Sequence, residues 1–455
     1  TKYMMKGLCI MSLSDHPTME DENRRIVMNM MEMLLVMTYV SNQALFVLIT
    51  LKMAQWSICY GVSKHSSMAF ACYGVLLCNG MGDAAGGTKF GKVAMSILER
   101  FNAKDMESKV TFVYSSFISA WAEPGYLTHK HFCRGYEVGM QTGDINWAMF
   151  NLKCSNDMAV YTGKPLSYIE KECKSCIELM LEYEQKNTIN WLLPILQFVL
   201  NLMGCSNDPS VLSGSVMQQE DLLKHCNENE DRNLRNMITL YRLWAAFYFE
   251  EFDLAAMLVQ DIQDMSKSNR APNTIWRCAL LEGLTAFTLF QRKKSRKWKA
   301  HATKITSKVR EWVKKGAVNC NHILLMLEAE TAVLNGDKEL AKQKYDAAIT
   351  ASARVGFIHD RALANERAGK YMFHLGDKYL AFHYLNVAIQ LYSRWGANAK
   401  AEHLLSKYKI LLDEHHTPAM NKTVDRRWTW LASKGKSVNS DMELRSRRRS
   451  FTMRS

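Results

Sequence analysis

The chain has 455 residues, 48% of them hydrophobic and 23% charged, with a formal net charge of +13. That balance excludes a disordered or collagen-like chain and leaves room for a large buried core. Only 7 prolines stand beside 28 methionines, and no stretch sustains a strand-like alternation, so the reading is all-α.

The first residue is Thr1, and no basic stretch leads into an apolar one, so no signal peptide is expected. Met33 to Leu51 is a long uncharged run. It is just long enough to span a bilayer. Ser41-Asn42-Gln43 sit in its middle, however, where polar groups are costly in lipid. Two buried helices meeting at a polar turn are expected instead.

Gly86 to Ala94, GGTKFGKVA, has the Gly-x-x-x-x-Gly-Lys spacing of a phosphate loop. Such a loop needs a strand before it and a hydroxyl after the lysine. Val93 stands where the hydroxyl belongs, and Met68 to Asp83 has helical length and pattern. The expectation is a hairpin turn over Gly86 to Phe90 and a helix over Gly91 to Phe101, with no nucleotide bound.

His129-Lys-His-Phe-Cys133 and Cys173-Lys-Ser-Cys176 have no further ligands at zinc spacing; the first reads as a solvated helix start and the second as two helix-face cysteines. No protease, esterase or kinase signature is present. The expectation is therefore no catalytic residue, no metal and no cofactor. Twelve cysteines without framework spacing read as reduced residues of a cytoplasmic protein. Gly204 to Ser215 and Ser266 to Asn273 read as loops.

Gln291 to Lys315 carries eleven Lys or Arg against Glu311 alone, and Asn421 to Ser455 carries ten against three acids. Without these two segments the remainder is slightly acidic, so the charge is local. Arg292, Lys293, Lys294, Arg296, Lys297 and Trp298 are the candidate partner-binding residues. Ile305, Val309, Trp312 and Val313 form a packing stripe beside them. The first reading is a solvated basic helix with one buried face, the next an acidic protein partner, the third nucleic acid or anionic lipid.

Leu334 to Gly356 and His374 to Gly396 align without a gap, Gly336-Asp337 on Gly376-Asp377 and Arg354-x-Gly356 on Arg394-x-Gly396. Gly suits the left-handed position that ends a helix, and Asp caps the next one. Ala341, Tyr345, Ala348 and Ser352 fall on one helix face, as do Ala381, Leu385, Ala388 and Tyr392. Gly143-Asp144 looks like a further copy, and Glu251 with Ala256 a degenerate one. The predicted fold is a TPR-like α-α superhelix, a right-handed solenoid of helical hairpins over 1–413, best defined at 323–356 and 360–396. A basic, largely disordered tail is expected over 414–455, with Trp428 and Trp430 as an anchor. Ser450 follows three arginines and is a candidate for phosphorylation.

Six stretches in order carry a family resemblance: Lys89 to Ala103, Trp121 to Pro124, Thr142 to Ala148, Asn201 to Gly214, Ala362 to Gly376 and Tyr392 to Tyr408. From Thr1 to about Leu412 the chain resembles the helical-repeat region of large multidomain signalling proteins. These combine a protein-kinase-like domain, an AAA-type ATPase domain and often GAF and histidine-kinase modules. The family's catalytic residues lie outside this region, so none carries over. The resemblance implies a fragment or truncated member, acting as a non-catalytic scaffold and sensor. Its concave face would hold a partner helix or the ATPase domain. The alternative is a subunit that places segments 291–315 and 421–455 on nucleic acid or an anionic membrane.

Overall fold

The computed structural model describes residues 9–264 and 271–415. In chain order the helices are α1 (Glu22–Ser41), α2 (Gln43–Tyr60), α3 (Ser66–Val75), α4 (Ala84–Arg100), α5 (Lys104–Tyr114), α6 (Ala120–Ala122), α7 (Gly125–Thr142) and α8 (Ile145–Tyr161). They continue with α9 (Leu166–Glu182), α10 (Lys186–Met203), α11 (Gln219–Glu228), α12 (Arg232–Tyr248), α13 (Phe252–Asp264), α14 (Pro272–Lys293) and α15 (Arg296–Lys314). The last are α16 (Asn321–Leu334), α17 (Lys338–Val355), α18 (Ile358–His374), α19 (Lys378–Trp395), α20 (Asn398–Lys407) and α21 (Lys409–His415). Two π-helical turns, Leu76–Gly80 and Ser115–Ser119, extend α3 and α5. Among the described residues there is no strand, only an isolated parallel bridge between Thr18 and Val62.

The repeat chemistry explains the turns. Gly336 and Gly376 adopt φ of 75° and 80°. Asp337 and Asp377 then accept from the backbone N–H of Leu340 and Leu380 at 3.0 and 3.1 Å. The predicted faces are buried, with Ala341, Ala348, Ser352, Ala381, Leu385, Ala388 and Tyr392 each at 0% exposure. The degenerate copy is shifted by one residue: Glu250, not Glu251, takes the glycine place, with φ of 65°. Its carboxylate reaches Lys370 and Lys407.

The uncharged N-terminal run breaks at Asn42, whose side chain caps α2 by accepting from Leu45 N–H at 3.0 Å. The polar turn stands where expected, but the first helix is buried on one face only, at Met28, Glu32, Leu35 and Thr38. Met33 and Met37 of α1 are 64% and 70% exposed. No helix among the described residues is long and apolar enough to cross a membrane.

Alternate helices α1, α3, α5, α8, α10, α12, α14 and α16 pack one on the next in a row. From α8 onward this row curls on itself. Asn319 donates to the carbonyls of Ala120 and Glu123 at 2.9 and 2.8 Å. Trp395 donates to the Lys164 carbonyl at 2.9 Å, and α20 packs on α10. There later helices of the chain pack against earlier ones. Residues 416–455, with Ser450, Trp428, Trp430 and the second basic segment, lie outside the described residues, as do 265–270 of the Ser266 loop.

Candidate functional site

The densest chemistry lies on α18. His359, Asp360, Glu366, Arg367 and Lys370 recur at spacings that keep them on one side of the helix. Yet α18 is buried nearly all round, and Asp360 is 0% exposed. Each charge therefore needs a partner. Arg277 of α14 grips both Asp360 oxygens at 2.6 and 3.1 Å and donates to His359 Nε2 at 2.6 Å. His322 Nε2 meets Asp360 at 2.9 Å. Arg367 forks onto Glu330 at 2.6 and 2.8 Å. Glu366 accepts from Lys370, from Lys400 at 2.8 Å and from the Tyr392 hydroxyl at 2.8 Å. Tyr241 donates to Asp157, which also accepts from Lys153.

Burial works against the charged carboxylates, but Arg277 holds Asp360 well below its usual range and Lys370 and Lys400 do the same for Glu366. Burial pulls Lys400 down to about 8 despite Glu366, and drags His359 down to about 3 despite Asp360. Both carboxylates are ionised and occupied, so neither stands free as a general base. The cluster is an ionic spine joining α12, α14, α16, α18 and α20. A charged run inside a helix reads as a solvated face from sequence, and only the neighbouring Ala362, Ala364, Ala368 and Gly369 hint at burial.

The predicted basic residues gather where α14 turns into α15. Lys294 makes the turn with φ of 50°. Arg292, Lys293, Lys294, Arg296 and Lys297 are exposed, and Lys293 pairs with Asp253 at 2.6 Å. Trp298 differs from the expectation: it is only 9% exposed, because it starts the stripe of Ala302, Ile305 and Val309 that packs α15. Trp312 is half-buried with its ring 5.8 Å from Trp121. Neither ring is available as a stacking platform.

GGTKFGK lies within a single helix, α4, capped by Asp83 accepting from Gly86 N–H at 2.9 Å. The expected turn over Gly86 to Phe90 is absent, and the chain turns earlier, at Gly82 with φ of 66°. The glycines serve helix packing. A Cβ at Gly87 would stand 2.3 Å from Cys78 Sγ and 2.7 Å from the Gly74 carbonyl. Gly87→Ala is expected to cost about 1–3 kcal/mol by overpacking, and Lys92→Ala, on an exposed position, less than about 0.5 kcal/mol. Urea melts check both, and the reverse order would contradict the packing role of Gly87.

Cys173 and Cys176 are both buried on α9 and bond to Asn156 at 3.4 and 3.3 Å. Burial raises the Cys173 thiol well above its usual range and Cys176 to about 11, the opposite of a reactive pair. No group of three or more candidate metal ligands gathers among the described residues.

No family model matches the chain, and no curated protein matches it significantly.

At the N-terminal end of the row a polar and an apolar hollow lie in line between α1 and α5, a furrow missed by sequence reading because three separated helices build it. α1 and α5 form its walls, and the Ser63–His65 loop and α3 its floor. Its polar end has a volume of about 630 Å³ and includes Arg25, Asn29, Ser63, Lys64, Asp105 and Lys109. Its apolar end, about 60 Å³, includes Val36, Tyr39, Met68, Phe112, Phe117 and Trp147. Between them Glu32, 3% exposed, is bound by His65 at 2.6 Å and Lys109 at 2.5 Å. Burial disfavours its charge, but these two bonds outweigh that and hold it below its ordinary value. The outer rim of α1 is a stripe of Ile26, Met30, Met33 and Met37, 48–70% exposed.

Proposed function

We propose that this chain is a non-catalytic helical-repeat scaffold, the sensing and regulatory arm of a signalling ATPase or kinase, acting through protein–protein or intramolecular contacts. One observation carries the reading. The ionic groups of α18 are occupied by one another, whereas the uncommitted surface lies on helix faces: the apolar stripe of α1 and the basic ridge of α15. Contiguous exposed apolar surface marks interaction sites, and methionine adapts to varied partners. Paired helices with left-handed glycine turns support the finer description, a TPR-like right-handed superhelix. The family resemblance supports the association with ATPase or kinase domains. The absence of a disulfide among the described cysteines supports a reducing cytoplasm.

The test is co-purification of the full chain with protein-kinase-like and AAA-type ATPase domains of such proteins. Retention that survives moderate salt is expected. Absence of association at low and at high salt would overturn the reading.

A second reading rests on α15, where Arg296, Lys297, Lys304 and Lys308 make no ion pair among the described residues. It places the basic segments on nucleic acid or anionic membrane. It requires binding to DNA, RNA or anionic vesicles that weakens steeply with salt and is lost on deleting Asn421 to Ser455.

A further inference from the structure

From the furrow between α1 and α5 we infer a docking site for one amphipathic helix of a partner protein, carrying an aliphatic anchor and a carboxylate about eleven residues apart. This rests on the scaffold reading and names the partner's chemistry.

Two features of the furrow are unfinished. Ser63 is 5% exposed, lines the polar end, and its hydroxyl has no hydrogen-bond partner among the described residues. A buried hydroxyl left this way is costly. Arg25 lines the same end and makes no ion pair among the described residues, while Lys64 and Lys109 are already taken by Asp105 and Glu32. Glu22, also at this end and without an ion pair, disfavours a highly charged anion. A single carboxylate fits the one free guanidinium, with a hydroxyl donor near it.

The other end selects by size and polarity. A cavity of about 60 Å³ walled by aromatic and aliphatic side chains is smaller than the roughly 150 Å³ cavity that accepts benzene. It suits the tip of Leu, Ile or Met and not a ring.

Spacing and context select a helix. Arg25 and Val36 on α1 are eleven residues apart, about 16 Å along the axis. Eleven residues are three helical turns, so a partner helix laid alongside presents both groups from one face. Farther along the row a helix of this chain packs on one of its members, α20 on α10, so a helix is a partner that this row already accepts. Met33 and Met37 stand one residue round α1 from Glu32 and Val36, so a helix in the furrow also covers the most exposed part of the stripe.

The test is selection of twenty-residue helical peptides from a display library on the full-length chain, followed by affinity measurement on variants with native circular dichroism. Selected peptides are expected to carry Leu, Ile or Met ten or eleven residues from Asp or Glu. Arg25→Glu should weaken them at least tenfold, and replacing the peptide carboxylate by Lys should restore binding to that variant. Val36→Asp should also weaken them at least tenfold. Should Val36→Asp unfold the chain, the exposed pair Met33→Ser and Met37→Ser replaces it, with a loss of at least threefold expected. No selected peptide, aromatic anchors, or affinity indifferent to these variants would overturn the docking site. A wild-type dimer dissolved by Met33→Ser and Met37→Ser would give the face to a second copy and equally overturn it. Peptides that bind elsewhere sink the furrow and leave the scaffold reading standing.

Discussion

Replacing Arg277 by Met is expected to lower the unfolding free energy by about 3–5 kcal/mol, the usual cost of orphaning one member of a buried ion pair. Arg277 is 4% exposed and Asp360 0%, and they meet through two parallel bonds. The guanidinium also lies 4.1 Å over the Trp244 ring. Without it Asp360 keeps only two histidines close by, His322 at 2.9 Å and the neutral His359 at 3.7 Å. Asp360→Leu alone leaves the guanidinium stranded and should cost a similar amount. The double variant removes both charges, and substitution of a whole buried pair by apolar residues is often close to neutral. It should therefore be more stable than either single variant. Urea denaturation of the three variants measures this as a double-mutant cycle. Single losses below about 1 kcal/mol, the range of exposed pairs, would contradict a dry spine.

Acid sensitivity beginning near pH 6.5 is the second large effect. Burial is the main reason that His359 stays neutral down to about pH 3, against an ordinary 6.5, and Arg277 adds to it. Geometry agrees: Nε2 accepts from Arg277, so the ring's one proton is on Nδ1, and a second would have to go onto Nε2 against the guanidinium. The ring also stacks 5.1 Å from Trp395. Below pH 6.5 the unfolded chain binds a proton that the folded chain refuses. Stability is thus full above 6.5 and falls as pH drops towards 3, by about 1.4 kcal/mol per unit. At pH 5 the loss from this one residue is about 2 kcal/mol. His129, His301 and His403 are lowered by burial too and act in the same direction. Only below the ordinary carboxylate range do Asp360 and Glu366 add their own losses, since both are held low in the folded chain. Urea midpoints at pH 7.5, 6 and 5 for wild type and His359→Gln isolate the residue. A shallower fall in the variant is expected, and parallel curves would contradict a buried neutral imidazole.

Local chemistry was legible where a residue type has one structural use. Gly336 and Gly376 end helices, Asp337 and Asp377 start them, and the Ala faces between them are buried, all as their pattern implies. Asn42 likewise breaks the apolar run. The reading failed where the partner is distant. Glu250 occupies the left-handed position that glycine usually takes, in company with Lys370 and Lys407, 120 and 157 residues away. Arg277 and Asp360 are 83 residues apart, and nothing in either neighbourhood says which charge will meet which. The placement of a turn within GGTKFG failed for the opposite reason. Glycine signals both turns and close helix contacts, and Gly87 serves the second use against Gly74 and Cys78. The furrow needed α1, α3 and α5 brought side by side, an arrangement only tertiary structure supplies. Trp298 was read as a candidate partner-binding residue because basic neighbours surround it, whereas its period along α15 belongs to the buried stripe.

Hydrogen–deuterium exchange of the full chain, alone and bound to a co-purifying ATPase or kinase domain, tests the central claim most directly. If the ionic spine is architecture and the outer helix faces are the working surface, binding slows exchange in α1, α3, α5 and α15 and leaves α18 unchanged. Protection centred on α18, with those four helices indifferent to the partner, would contradict it.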